Sequence, residues 1–195
     1  MHLYFDIETI PNQSESALKQ IQAEIEKEKE KIAAPGNYKD PEKIAEFLNL
    51  RRCELDRQAD ANWRKTALDG GSGHIAAICW AINDGEVIGH RLSWPVVNER
   101  EVIVEFFDSV TNAIGRSGGD FGRVRSSPRV VGHNVAGFDL TFVWKRCVVL
   151  GIRPPDWMPI NPKPWADNVY DTMLQWSGAG RYISMDKLCA LMNLP

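Results

Sequence analysis

Hydrophobic and polar positions alternate from Leu3 to Thr9, with Leu3, Phe5 and Ile7 on one side and Tyr4, Asp6 and Glu8 on the other. That period of two predicts a strand with one buried face. The pattern then changes. Leu18, Ile21, Ile25 and Ile32, and after them Ile44, Phe47, Leu48, Leu55 and Ala59, recur at helical spacing on either side of Pro35-Gly36-Asn37. This predicts a charged helical hairpin over residues 14–66, inserted directly after the first strand. His74–Ile82 is almost continuously apolar, Asn83-Asp84-Gly85-Glu86 is a tight-turn signal, and Val87–Leu92 follows, so a meander of three strands is expected. Val102, Ile103, Phe106, Phe107 and Val110 mark the inner face of a helix over 99–114, which leads to a short strand at 129–132.

A loop then opens a helix at Asp139, for which Gly151 is the stop signal. Five prolines between Pro154 and Pro164 are expected to keep the chain extended to Trp165. A strand containing Asp171-Thr172 and a final helix from Ser184 complete the pattern. The sum is an α/β fold: a mixed β-sheet flanked by helices, in a single domain spanning residues 1–195.

Composition narrows this picture. A chain of 195 residues, 44% of them hydrophobic, can bury one sizeable core. A formal net charge of -3 argues against a protein that coats nucleic acid without regard to sequence, although a local groove can bind it all the same. Basic residues concentrate in the loop 116–129, where Arg116, Arg123, Arg125 and Arg129 are expected either to be solvated or to hold a phosphate backbone. Cys53, Cys79, Cys147 and Cys189 lack metal-ligand spacing, so neither zinc nor a disulfide framework is expected. Without a leader-like segment or an apolar run of membrane-spanning length, the expectation is a cytoplasmic protein with no membrane contact.

The chemistry begins with Asp6 and Glu8. Two like charges on one strand face suit a hard divalent cation, but so short a motif is more often just a solvated strand edge. A third carboxylate, Asp139, stands at the head of a predicted helix. Asp6-Ile7-Glu8-Thr9 and Asn134-Val135-Ala136-Gly137-Phe138-Asp139 resemble, in that order, the first two motifs of the DEDD 3'-5' exonucleases of the RNase H-like fold. Val169–Met173 and Ile183–Cys189 resemble the segments that follow in the family. The likeness is greatest to phage- or prophage-type exonucleases related to the proofreading domain of family B polymerases.

The resemblance implies an RNase H-like sheet and hydrolysis of phosphodiesters at single-stranded DNA or RNA 3' ends. Two Mg²⁺ or Mn²⁺ ions about 3.5 to 4 Å apart would carry the reaction. It further implies that Asp6 bridges both ions, Glu8 holds the ion that activates water and Asp139 holds the other. Thr9, His133, Asn134 and Phe138 would line the pocket for the terminal nucleotide, unless His133 is a structural imidazole. Asp171 would act behind the metal ligands or cap its own turn.

The family's third motif, a Tyr or His followed by an Asp, is absent: no Asp or Glu follows Asp186. The expectation is therefore a chain cut short before its last catalytic helix, with impaired turnover. An apolar face left uncovered by that helix would favour self-association or a covering partner. The alternatives are a non-catalytic module of the same fold that binds nucleic acid or protein, and a structural protein with solvated acids.

Overall fold

The structure, a computed structural model, describes residues 1–91, 98–117 and 127–194. Its elements are β1 (His2–Ile10), α1 (Glu15–Glu30), α2 (Pro41–Lys65), a 3-10 turn (Thr66–Leu68), β2 (His74–Ile82), β3 (Ile88–Arg91), α3 (Glu99–Ser117), β4 (Arg129–Gly132), α4 (Asp139–Leu150), β5 (Val169–Asp171), α5 (Thr172–Ser177) and α6 (Met185–Leu191). The chain falls into two compact units, Met1–Thr9 with Ile75–Pro195, and Ile10–His74.

In the first unit the five strands form one mixed sheet in the order β3-β2-β1-β4-β5. The expected meander is present: Asn83, with a φ of 50°, sits in the turn beyond β2, and its side chain accepts the His2 N–H at 2.8 Å. β4 lies parallel to β1, and β5 parallel to β4. The alternation read in the sequence holds, since Leu3, Phe5 and Ile7 are buried while Tyr4, Asp6 and Glu8 are exposed. Onto the buried face pack Val102, Ile103, Phe106 and Val110 of α3, and Leu140, Phe142, Val143 and Cys147 of α4. Phe5 stacks on Phe106 with ring centroids 5.1 Å apart. Side chains of that size each contribute about 1.5–3 kcal/mol through burial. The arrangement, an open α/β sheet flanked by helices, is consistent with an RNase H-like fold.

A buried ion pair crosses this core. Glu99, at the first position of α3, is buried, and its Oε1 accepts the Ile75 N–H at 2.9 Å and Arg146 Nε at 2.8 Å. Arg146 Nη2 donates to Glu99 Oε2 at 2.7 Å. The planar fork of arginine meets both carboxylate oxygens, ties α3 to α4 and secures the start of β2.

Three expectations need correction. The proline-rich stretch is not extended: Met158 N–H bonds Pro155 C=O at 3.0 Å and Ala166 N–H bonds Lys163 C=O at 2.9 Å. These turns tuck Trp157 and Met158 into the core, where Trp157 Nε1–H donates to Thr111 Oγ1 at 2.9 Å. Burial of a large aromatic outweighs the local preference of its neighbours. Thr172 is not in a strand; β5 ends at Asp171 and Thr172 opens α5, because the Asp171 carboxylate accepts from Met173 N–H and Leu174 N–H and caps a helix there. The helix expected over 99–114 runs on to Ser117. The expected end of the third strand at Leu92, and residues 118–126 of the basic loop, lie outside the described residues.

The second unit is the helical hairpin. Ser14 and Asp40 cap its two helices, and Pro41 occupies the first turn of α2, where a missing N–H costs nothing. Neither helix has a buried residue. A thin apolar stripe including Ile21, Ile25, Leu55 and Ala59 lines a groove between the two helices. Lys29 Nζ crosses from α1 to Asp56 of α2 at 2.8 Å. The unit is closed at its base by Trp63 Nε1–H on Asn12 C=O, 2.8 Å, and by Asn12 N–H on Thr66 Oγ1, 2.8 Å. Among the described residues, no helix is long and apolar enough to cross a membrane.

Candidate active site

β4 pairs with β1 at only three positions, His2 with Arg129, Leu3 with Val130 and Tyr4 with Val131, and stops at Gly132. The approach there is close. A Cβ on Gly132 would stand 2.8 Å from Val135 Cβ and 2.9 Å from the Phe5 carbonyl oxygen, so only glycine fits without displacing backbone. Two residues on, Asn134 takes a φ of 58° and turns the chain out of the sheet. Its C=O accepts the Phe138 N–H at 2.9 Å, Val135 C=O accepts the Leu140 N–H at 3.0 Å, and α4 starts at Asp139.

This path brings Asp139 to β1. Its Oδ1 accepts the Ile7 N–H at 3.0 Å, past the last register pair of β1 with β4. Asp139 is 3% exposed. Burial, and then the charge of Asp6, push its carboxyl up to about 7, although the N–H groups of Ile7 and of Asp139 itself pull the other way. Asp6, on the open face of β1, is also raised, first by burial and then by Glu8. Neither carboxylate has an ion-pair partner among the described residues.

Carboxylates whose proton affinity is raised by burial and by a neighbouring acid, Asp139 by Asp6 and Asp6 by Glu8, are an all-oxygen donor set that a hard divalent ion relieves. Mg²⁺ commonly keeps several waters and takes only one or two protein carboxylates, so Asp6 with Asp139 fits it. Glu8 bears on Asp6 but not on Asp139. Among the described residues no group of three or more His, Cys, Asp or Glu stands close enough to hold one ion.

The other residues singled out in the sequence fall as follows. Asp171 is buried and engaged: Oδ1 accepts from Asn134, Met173 and Leu174 N–H at 2.9, 3.0 and 3.2 Å, and Oδ2 accepts from Ala136 N–H at 3.0 Å. It caps α5 and clamps the loop that delivers Asp139. His133 is held at both ring nitrogens, Nδ1 by Thr172 Oγ1 at 2.9 Å and Nε2 by the Ile183 carbonyl at 2.8 Å. Phe138 turns toward the core and meets Phe142 at 5.6 Å. Asn134 supplies the bend, with its Oδ1 over Gly137, where a Cβ would come within 2.6 Å. Thr9 is half-buried near the end of β1.

Asp6 also lines a largely apolar groove of about 680 Å³ on the open face of the sheet, together with Tyr4, Val131, His133, Met185 and Leu188. The sequence reading missed Gly132 and the fourfold use of Asp171. A glycine closing an apolar strand was a signal for the first; the second has no local signature.

No protein-family model and no curated protein matches the chain. Among solved structures, the chain is similar to the family B DNA polymerase from the hyperthermophilic archaeon Pyrobaculum calidifontis, with 14% identity and a TM-score of 0.49. The match covers 98% of this chain and 18% of that chain, so this protein spans less than a fifth of the polymerase's length.

Proposed function

We propose that the chain is a divalent-metal-dependent nuclease of the 3'-5' exonuclease type, acting on single-stranded DNA or RNA ends. The observation that carries this reading is the hydrogen bond from Ile7 N–H to Asp139, which sets two motifs 132 residues apart side by side. Asp6 and Asp139 would hold Mg²⁺ or Mn²⁺, with Glu8 adjoining from the same strand face. When bound, such an ion supplies a nucleophilic water near neutral pH and stabilises charge on the phosphate.

The chain's own groups have narrower tasks. Asp139 accepts the Ile7 N–H on Oδ1 and is thereby fixed in orientation beside β1. Asp6, on the exposed strand face, presents its carboxylate where a cation could bridge it to an incoming phosphate. His133 stabilises the loop through Thr172 and Ile183, and with both nitrogens engaged it is not the proton acceptor. Asp171 positions Asn134 and Ala136, and through them the start of α4.

The test is degradation of labelled single-stranded DNA and RNA with Mn²⁺, beside Asp6→Ala and Asp139→Asn. The expected result is stepwise loss from the 3' end, slowed by on the order of 10² to 10³ in either variant, the scale of losing one group that stabilises the transition state. One observation favours a second reading, a nucleic-acid-binding module without turnover: the described residues offer no three-residue ligand group. Binding of the same substrates with no cleavage, in wild type and variants alike, selects it.

A further inference from the structure

β5 is the last strand of the sheet, paired with β4 on one side only. The chain around this edge is rich in exposed aromatic rings. Trp165, four residues before β5, is 77% exposed; Trp176, in α5, is 56% exposed; Tyr182, just before α6, is 75% exposed. Tyr170, in β5 itself, is half-exposed, and the Arg129 guanidinium lies 5.1 Å over its ring. Four of the six exposed aromatics among the described residues thus fall within eighteen positions, 165–182, the other two being Tyr4 and Tyr38. The side chains of Trp165, Trp176 and Tyr182 have no ring, hydrogen-bond or ion-pair partner among the described residues.

Large rings left in water are costly and are ordinarily tucked in, as Trp157 is in this same chain. Cations are interleaved with them: Arg129 opens β4 and Arg181, exposed, precedes Tyr182. Exposed π-faces close together in the chain, one of them under a guanidinium group and another next in sequence to an exposed arginine, are the chemistry that recognises unstacked bases on a phosphodiester backbone. The edge also adjoins the carboxylate pair: Asp171 ends β5, begins α5 and clamps the loop that carries Asp139.

We infer that the β5 edge, through Trp165, Tyr170, Trp176 and Tyr182 with Arg129 and Arg181, is a stacking track for single-stranded nucleic acid. It rests on the nuclease reading for its connection to the site, while the binding itself requires no catalysis.

The experiment is fluorescence-anisotropy titration of the full chain with fluorescein-labelled oligo-dT in EDTA, so that cleavage plays no part. Trp165→Ala and Trp176→Ala are each expected to weaken binding about tenfold, the scale of one lost stacking contact, and Trp165→Phe to restore most of it. Arg181→Ala is expected to flatten the dependence of affinity on salt, which Trp165→Ala leaves unchanged. All three side chains are exposed, and circular dichroism checks that the variants stay folded. If the Trp165→Ala/Trp176→Ala double variant binds oligo-dT as wild type does, the track is overturned while the nuclease reading stands. Ring-dependent binding without cleavage in the Mn²⁺ assay supports the track and removes the nuclease reading. Failure of the wild type to bind, with the double variant instead changing the oligomeric state, overturns the track in favour of a protein contact.

Discussion

At the scale of the residue, Asp139 has the largest effect on behaviour. A buried carboxyl titrating near 7, against 3.8 in an unfolded chain, keeps its proton in the fold over a range where the unfolded chain has lost it. Stability therefore falls as pH rises from about 4 to about 7, and is flat on either side with respect to this group. The shift corresponds to on the order of 4 kcal/mol across the window. In EDTA, thermal melts of the wild type should decline over that range, and Asp139→Asn, whose Oδ1 still accepts from Ile7, should remove most of the decline. At neutral pH Mg²⁺ or Mn²⁺ should raise the wild-type melting temperature and leave Asp139→Asn unchanged, because the ion's gain comes from neutralising the carboxylate pair. An Asp139→Asn profile that falls as steeply as the wild type's would place the titration elsewhere.

At the scale of the element, the Glu99–Arg146 contact joins α3, α4 and β2 in the dry core. Removing one partner of such a pair leaves a buried charge unanswered, and Glu99→Ala is expected to cost about 3–5 kcal/mol in urea unfolding. Glu99→Met with Arg146→Met should recover most of that loss, since an apolar pair of similar volume leaves no unmatched charge. Elements of this kind divide what the sequence discloses from what it conceals. The alternation of β1, the hairpin stripe, the turn at Asn83 and the stop at Gly151 all arise from neighbours within a few residues, and each is readable from the chain. Glu99 and Arg146 lie 47 residues apart and look, one by one, like solvated helix charges. Trp157 sits among prolines, and only a tertiary slot against Phe106 explains its burial. The Asp6 and Asp139 positions were legible because the motifs are compact. The bond to Ile7, the clamp at Asp171 and the dual engagement of His133 were not, since each joins segments far apart in sequence.

At the scale of the whole molecule, the two units differ in how they are held. The sheet unit buries a continuous apolar cluster that includes Leu3, Phe5, Ile78 and Trp80, whereas neither long helix of the hairpin has a buried side chain. Exposed ion pairs such as Lys19–Glu15 add little to the hairpin. Amide hydrogen exchange should therefore show α1 and α2 opening at free energies well below that of β2. Equal protection in α2 and in residues 75–82 would mean that the hairpin opens only with the sheet.

The long reach between Ile7 and Asp139 has a temporal side. A ribosome adding roughly 5–20 residues per second needs on the order of 10 s to write the chain between them. Throughout that interval the first strand carries Asp6 and Glu8 without the carboxylate that completes their neighbourhood, and the loop that delivers it waits further for Asp171. The carboxylate neighbourhood thus comes into being only once β1, the loop before α4 and β5 have met.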